Sequence, residues 1–295
     1  MTAINVGVVG LGLLGHAIAS RLIAAKHRVV GHDVVAARGD ALTTLGGETV
    51  ASVEAVAKST DAICTVLPSL EAVEHVILGA DGIVSAARPG TCVIQMSTIS
   101  PALSERLARE VTARGLGFLD CPISGTSGMV ERGQGVIFVG GEQALFDRWQ
   151  PVLASVLARP VYIGRAGQAM TLKLVANLLV ALHSAAAAEA LIMARQAGLD
   201  LGLVLEVLGA GAATSRMLEV RGPLIAKGEF PPQMKLDLFM KDLHLIQDAA
   251  RAVGAPLPLT DVAERLYAAV NGEGHGGEDL AVVVHAFERM TGAKG

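Results

Sequence analysis

The chain has 295 residues, of which 52% are hydrophobic and 18% charged, and its formal net charge is −4. That balance excludes a disordered protein and leaves room for two domains with large cores. Charges of either sign form no long run and only 3% of residues are aromatic, so the electrostatic footprint and stacking platforms of nucleic-acid binding are missing.

Residues 4–9 are largely apolar and run straight into glycines, which makes a strand and a turn rather than an export signal with its cleavage site. The turn, Gly10-Leu11-Gly12-Leu13-Leu14-Gly15, opens a helical stretch over 15–25. Strand, glycines and helix in that order form a dinucleotide fingerprint rather than an ordinary glycine-rich turn. Gly10 permits the tight turn, Gly12 lets the backbone approach a pyrophosphate, and Gly15 allows the helix to pack closely on the strand. The first helical amides, at Leu13 and Leu14, then face the phosphates. A second strand over 28–32 ends at Asp33, 21 residues beyond Gly12. An acid there accepts hydrogen bonds from the adenosine ribose hydroxyls and repels a 2′-phosphate, which favours NAD. Arg38 lies close enough to pair with such a phosphate, so NADP is the alternative. A domain that binds S-adenosylmethionine shares some of these features, and a dinucleotide fold alone names no reaction.

Further strands are predicted over 62–67, 91–95, 117–119 and 136–139, with a short last one over 161–163 and an amphipathic helix over 100–114. The alternation predicts an α/β domain with a mostly parallel sheet covered by helices on both faces. After Gly164 only helix-period patterns occur, broken at Gly198, 209–211, Gly222-Pro223, Pro231-Pro232, 254–256 and 271–277. The predicted organisation is an α/β domain over 1–163 and an all-α domain over 164–295, with a long helix over about 167–196. Gly198 suits the left-handed cap of that helix and Asp200 the start of the next. Residues 174–194 are long enough to span a bilayer, but Asn177, His183, Ser184 and Glu189 interrupt them. A helix apolar on nearly every side predicts burial in protein, as the spine of the second domain and as a surface shared in a homodimer or homotetramer. Cys64, Cys92 and Cys121 are an odd number without metal-ligand spacing and read as buried thiols in a reducing, cytoplasmic setting. No histidine–acid cluster has metal-ligand spacing, so no metal is expected.

Lys173 and Asn177 stand four residues apart on the long helix and therefore share one face. A buried ammonium needs a partner or a lowered pKa. A lysine and an amide near a nicotinamide suggest proton transfer coupled to hydride transfer. The ordinary alternative for Lys173 is a surface lysine whose stem covers apolar neighbours; for Asn177 it is a satisfied interhelical hydrogen bond. His183 and His244 read as partly buried structural histidines, and Arg216 as a solvated arginine.

Five segments in order carry a family resemblance: the fingerprint; Leu67-Pro68; Met96-Ser97-Thr98-Ile99-Ser100-Pro101; Leu119-Asp120-Cys121-Pro122-Ile123-Ser124-Gly125-Thr126; and Gly164-Arg165-Ala166-Gly167-Gln168 with Lys173, Asn177 and Lys241-Asp242-Leu243. Together they closely resemble the β-hydroxyacid dehydrogenases, the family of 3-hydroxyisobutyrate dehydrogenase and tartronate semialdehyde reductase. The resemblance runs from about residue 4 to at least 248. It implies an N-terminal Rossmann-type domain joined by the long interdomain helix to an all-α C-terminal domain, with reversible oxidation of a small 3-hydroxy acid by NAD or NADP in the cleft between them. Carried over, Lys173 is the general acid/base, Asn177 helps to hold the substrate, and Ser124, Gly125 and Thr126 cradle its carboxylate. Leu67, Pro68 and Thr98 line the cofactor. Lys241 approaches from the second domain, either to depress the Lys173 pKa as a neighbouring cation or to pair with the substrate carboxylate; an ordinary i,i+4 pair with Asp237 is its alternative. The chain departs from the family pattern at Thr126, where a second glycine is common, at Ala176, where an asparagine is common, and at Lys26, where glycine is usual. Rival readings are reduction of a small semialdehyde such as tartronate semialdehyde, and a non-catalytic dinucleotide-binding module. A phosphogluconate-type activity lacks an evident cluster of basic residues for a sugar phosphate.

Overall fold

Apolar residues follow one another almost unbroken along the first strand, β1 (Asn5–Val9), as they do where both faces of a sheet are covered. The computed structural model describes residues 4–292. In it β1 belongs to a nine-stranded sheet with β2 (Arg28–His32), β3 (Glu48–Thr49), β4 (Ala62–Thr65), β5 (Cys92–Gln95), β6 (Gly117–Asp120), β7 (Ile123–Ser124), β8 (Val136–Gly141) and β9 (Pro160–Gly164). The order is β3-β2-β1-β4-β5-β6-β8-β7, with β9 also paired to β8. The pairings that link β1 to β6 are all parallel; β8 runs antiparallel to β6 and β7 and parallel to β9. The two-residue strands β3 and β7 are too short to leave a period in the sequence.

Helices cover both faces, as the alternation predicted. On one face Val6, Val8, Cys64, Cys92 and Ile94 meet Ile18 and Leu22 of helix Leu13–Ala24 and Trp149 and Leu153 of helix Gln143–Val156. On the other, Val30, Ile63 and Val93 meet Val73 and Ile77 of helix Leu70–Leu78 and Leu103 and Leu107 of helix Pro101–Thr112. Ser100 caps the last of these by accepting from the Leu103 amide at 3.2 Å, with Pro101 in its first turn. All three cysteines are buried and unpaired, and burial raises each thiol pKa.

The chain divides into two compact units, the first reaching Lys173 and the second starting at Leu174. The division falls inside one 29-residue helix, Gln168–Gln196. Its end matches expectation: Gly198 takes φ +76°, the Leu199 amide bonds the Ala194 carbonyl at 3.0 Å, and Asp200 caps the next helix through the Leu203 amide at 2.8 Å. By length and composition this helix could cross a membrane. Ala181, Ala185, Ala188 and Leu191 are buried, whereas Val175, Leu179 and Met193 are exposed.

Among the described residues, the second unit is built from helices apart from one isolated bridge. The break expected at Gly222-Pro223 does not occur: helix Arg216–Lys227 runs through both residues. A Cβ on Gly222 would lie 2.4 Å from Leu205 Cδ2 of helix Leu201–Ala210, so the glycine serves close helix packing and tertiary contact overrides local propensity. Immediately before Gly222, Arg221 forms a fully buried ion pair with Asp279, Nε to Oδ1 at 2.9 Å. Asp279 also accepts the amides of Gln233 and Met234 at 3.1 Å and of Ala281 at 3.0 Å, so each oxygen of this buried anion is satisfied.

Lys26 follows the first helix with φ +70° and is the one non-glycine residue with positive φ among those described. Its amide and that of His27 close the helix end on Ile23 and Leu22 at 2.9 and 3.1 Å. A side chain in this region is strained, partly offset by the entropy a glycine would lose on folding. Lys26→Gly should therefore stabilise the protein by roughly 0.5–1 kcal/mol in urea unfolding; unchanged or lower stability would mean the turn carries no strain.

Candidate active site

The strand order reverses between β2-β1 and β1-β4, and in open parallel sheets ligands bind beyond the carboxyl ends of the strands at such a switch point. The glycine turn leaves β1 there. Its close packing is literal: a Cβ on Gly10 would stand 2.1 Å from the Val66 carbonyl oxygen, and one on Gly15 1.9 Å from that of Gly10. Gly12 differs. A Cβ there would meet nothing within 4 Å, and Gly12 is the N-cap of helix Leu13–Ala24 without a side-chain acceptor for the first-turn amides. The turn thus offers backbone donors, the positive end of a helix and open space, the donor set a pyrophosphate requires.

Asp33 stands just beyond β2 with its side chain 4% exposed. It accepts the Leu11 amide at 2.7 Å and the Val35 amide at 2.8 Å, and Arg38 reaches both of its oxygens at 3.3 Å. Burial acts to raise its pKa, but the two amides and the Arg38 guanidinium outweigh burial and hold the carboxyl below its ordinary value. Asp33 therefore fixes the glycine turn as well as presenting a negative charge beside it.

At the ends of β4 and β5 the loops holding Leu67-Pro68 and Thr98 are laced together. The Leu67 amide donates to Ser97 Oγ at 2.8 Å, and the buried Gln95 side chain takes the Ser97 amide at 2.5 Å and returns a bond to its carbonyl at 2.8 Å. At the same edge β6 ends at Asp120 and leads through Cys121-Pro122 to Ser124 on β7. Thr126 caps the short helix Ser127–Glu131 by accepting the Met129 amide at 3.3 Å. Its hydroxyl proton is not consumed by that cap, so Thr126 can still donate to a carboxylate. A Cβ on Gly125 would come no closer than 3.5 Å to any atom, so the fold itself does not demand glycine there.

Lys173 is 7% exposed and Asn177 3% exposed on the long helix, which removes the surface-lysine alternative. Asn177 Nδ2 donates to Asp242 Oδ2 at 2.7 Å. Asp242 lies on helix Leu236–Val253 and is itself buried. The Lys241 ammonium is 3.1 Å from Asp242 Oδ1, near enough for an ion pair though not aligned as a hydrogen bond. Lys241 thus pairs with the next residue, and Asp237 Oδ1 accepts the Leu238 amide at 2.6 Å. Asp242 stands in the Lys241-Asp242-Leu243 segment that carries the resemblance, but no role is read for it there, because its hydrogen-bond partner Asn177 lies 65 residues away. The histidines differ from expectation too: His183 is exposed, and His244, 63% exposed, pairs with Glu264 at 3.4 Å. Arg216, exposed, pairs with Glu219 at 2.8 Å. Among the described residues no three His, Cys, Asp or Glu side chains gather as metal ligands would.

Two family profiles match the chain: one described as the NAD-binding domain of 6-phosphogluconate dehydrogenase over residues 5–164, the other as the NAD-binding of NADP-dependent 3-hydroxyisobutyrate dehydrogenase over residues 167–287. The chain is 32% identical to 2-(hydroxymethyl)glutarate dehydrogenase of Eubacterium barkeri, covering 98% of this chain and 97% of the relative. It is 33% identical to 2-hydroxy-3-oxopropionate reductase of Escherichia coli K12, over 98% and 99%. The crystal structure of a 3-hydroxyisobutyrate dehydrogenase from Salmonella typhimurium superposes with a TM-score of 0.89 at 32% identity, covering 96% of this chain and 99% of that one.

The glycines of the turn separate by role. Gly12→Ala should leave unfolding free energy within about 0.5 kcal/mol of the parent while calorimetry records a large loss of NAD affinity. Gly15→Ala should instead lose roughly 3 kcal/mol or more, because its Cβ collides with backbone. Equal NAD affinity in Gly12→Ala would place the pyrophosphate elsewhere.

Proposed function

The chain belongs to the β-hydroxyacid dehydrogenase family, and from that premise we propose that it oxidises a small, 3-hydroxyisobutyrate-like 3-hydroxy acid with NAD, Lys173 serving as general acid/base. The observation that carries this reading is a lysine buried on an apolar helix with a buried amide one turn beyond it, oriented by Asp242. When bound, the nicotinamide supplies the hydride acceptor. Lys173, as the neutral amine, takes the substrate hydroxyl proton onto Nζ; as the ammonium it returns that proton in reduction. Asn177 gives Nδ2 to Asp242, which turns its Oδ1 toward the remaining side as an acceptor for a hydroxyl. The hydroxyls of Ser124 and Thr126, with the Gly125 amide, hold the carboxylate and so fix which face of the carbon is presented. Lys241 is assigned to the substrate carboxylate or the cofactor. Gly10, Gly12, Leu13, Leu14, Gly15, Leu67, Pro68 and Thr98 are assigned to the cofactor, in a domain ending near residue 163.

Reduction of a small semialdehyde uses the same groups in reverse, and the likeness to 2-hydroxy-3-oxopropionate reductase favours it as the second reading. Asp33 favours NAD, because a 2′-phosphate would face its charge. The three unpaired thiols suit a reducing cytoplasm, and the exposed Val175, Leu179 and Met193 are assigned to contact between subunits of a homo-oligomer.

NAD reduction by the purified protein with 3-hydroxyisobutyrate, glycerate and threonate tests the reaction class, with NADP in parallel. Lys173→Ala should lower turnover by roughly 100- to 10,000-fold with NAD affinity unchanged, and unimpaired turnover would remove Lys173 from the chemistry. Asp33→Asn should move cofactor preference toward NADP through Arg38.

A further inference from the structure

Asp120 is fully buried at the carboxyl end of β6, and the mechanism above does not use it. Its Oδ2 accepts the Gly167 amide at 2.9 Å and the Met170 amide at 3.3 Å. Those amides belong to the opening of helix Gln168–Gln196, so Asp120 supplies from 47 residues away the cap that a local side chain usually provides. Lys173 follows Met170 by one turn. In the other direction the chain runs from Asp120 through two residues into β7 and Ser124. The fit is tight: a Cβ on Gly140, paired with Asp120 across β6 and β8, would lie 2.9 Å from the Arg165 carbonyl oxygen and 3.3 Å from Asp120 Oδ2. One side chain thus ties the turn below Lys173 to the strand that leads into the Ser124 loop.

We propose that Asp120 is a positioning residue, which sets Lys173 against the Ser124 loop by capping the lysine's helix and does so fully only when ionised. This rests on the reading of Lys173 as the acid/base. The carboxylate form gives both amides a charge-assisted acceptor at the positive end of a helix. The protonated form is a weaker acceptor and loosens the first turn. Burial raises the Asp120 pKa to about 7, against the amides of Gly167 and Met170, which pull it down. Neither Asp120 Oδ1 nor Ser104 Oγ has a hydrogen-bond partner, which is why two amides do not offset the lost solvation. The other ionisable groups around this turn are few. Cys121, next in the chain, is a buried thiol with its pKa well raised. Glu105, which flanks Gly167, pairs with Arg165 at 3.9 Å, and the Tyr162 hydroxyl donates to the Gly141 carbonyl at 3.0 Å.

The sign for stability follows. Between the ordinary carboxylate pKa and about 7 the folded protein holds a proton that the unfolded chain has released, so Asp120 costs stability as pH rises through that window. A cap with a depressed pKa would do the reverse. Asp120→Asn keeps an acceptor for both amides without the titration. It should therefore gain stability relative to the parent as pH rises from about 4 to 7. In the parent, the Gly167 and Met170 amide resonances should titrate together near pH 7, and in Asp120→Asn they should not. Turnover of the parent should lose activity below about pH 7 through a limb that Asp120→Asn lacks, with KM and NAD affinity within about twofold. Asp120→Ala should lower kcat by roughly 10- to 100-fold, with KM and NAD affinity likewise held. A parent-like pH limb in Asp120→Asn overturns the proposal, as does a loss of NAD affinity parallel to kcat in either variant. The amide titration needs no substrate, so it fails only if Asp120 is misassigned. Unchanged turnover in Lys173→Ala fails the acid/base reading instead.

Discussion

Asn177 donates to Asp242 across 2.7 Å where neither side chain reaches water, and a bond of that kind is costly to leave half-made. The long helix carries Lys173, Asn177 and Ser184 as buried polar residues in an otherwise apolar run. Ser184 satisfies itself on the Val180 carbonyl at 2.7 Å, which needs nothing outside the helix. Asn177 cannot do that, so its placement constrains a second helix, and that helix brings Lys241 with Asp242. The Tyr267 hydroxyl, donating to the Ala181 carbonyl at 3.0 Å, ties a third helix to the same element. The polar residues of one helix therefore dictate where much of the second unit stands.

In the first unit the corresponding constraint is backbone proximity. Gly10 and Gly15 bring β1, β4 and the first helix together at distances no side chain tolerates, and that contact holds the glycine turn open at the switch point. Asp33 then fastens the turn through the Leu11 amide. The carboxylate we propose to discriminate between cofactors is thus also part of the scaffold of the turn, and on that reading cofactor preference and loop geometry are linked through one residue.

Much of this was legible in the residues alone, for a physical reason. The fingerprint, the strand alternation and the caps at Gly198 and Asp200 are local, and their partners lie within a few positions. The strand pairs β3 and β7 and the continuous helix across Gly222-Pro223 were not legible, because distant contacts decide them. Gly222 reads as a breaker until Leu205 is seen against it. Asp120 and Asp242 are the sharper cases. Each is a carboxylate whose partners lie 47 to 65 residues away, and two of those partners are backbone amides, which have no side-chain identity to read. Lys173, by contrast, was conspicuous because a charge inside an apolar period is anomalous on its face.

The buried pair of Arg221 and Asp279 bears on how the chain is made. The two residues are 58 positions apart, and Asp279 follows Arg221 in the chain. A ribosome releases the N-terminal segments first, and domains fold as units as they emerge. The sheet of the first unit is complete once Gly164 has appeared. The second cannot close around Arg221 until its anion has been synthesised, because an unpaired guanidinium will not leave water. Arg221 thus acts as a latch that keeps the helical unit open until Asp279 has been synthesised, and a nascent chain stalled before Asp279 carries one folded unit and one unfinished one.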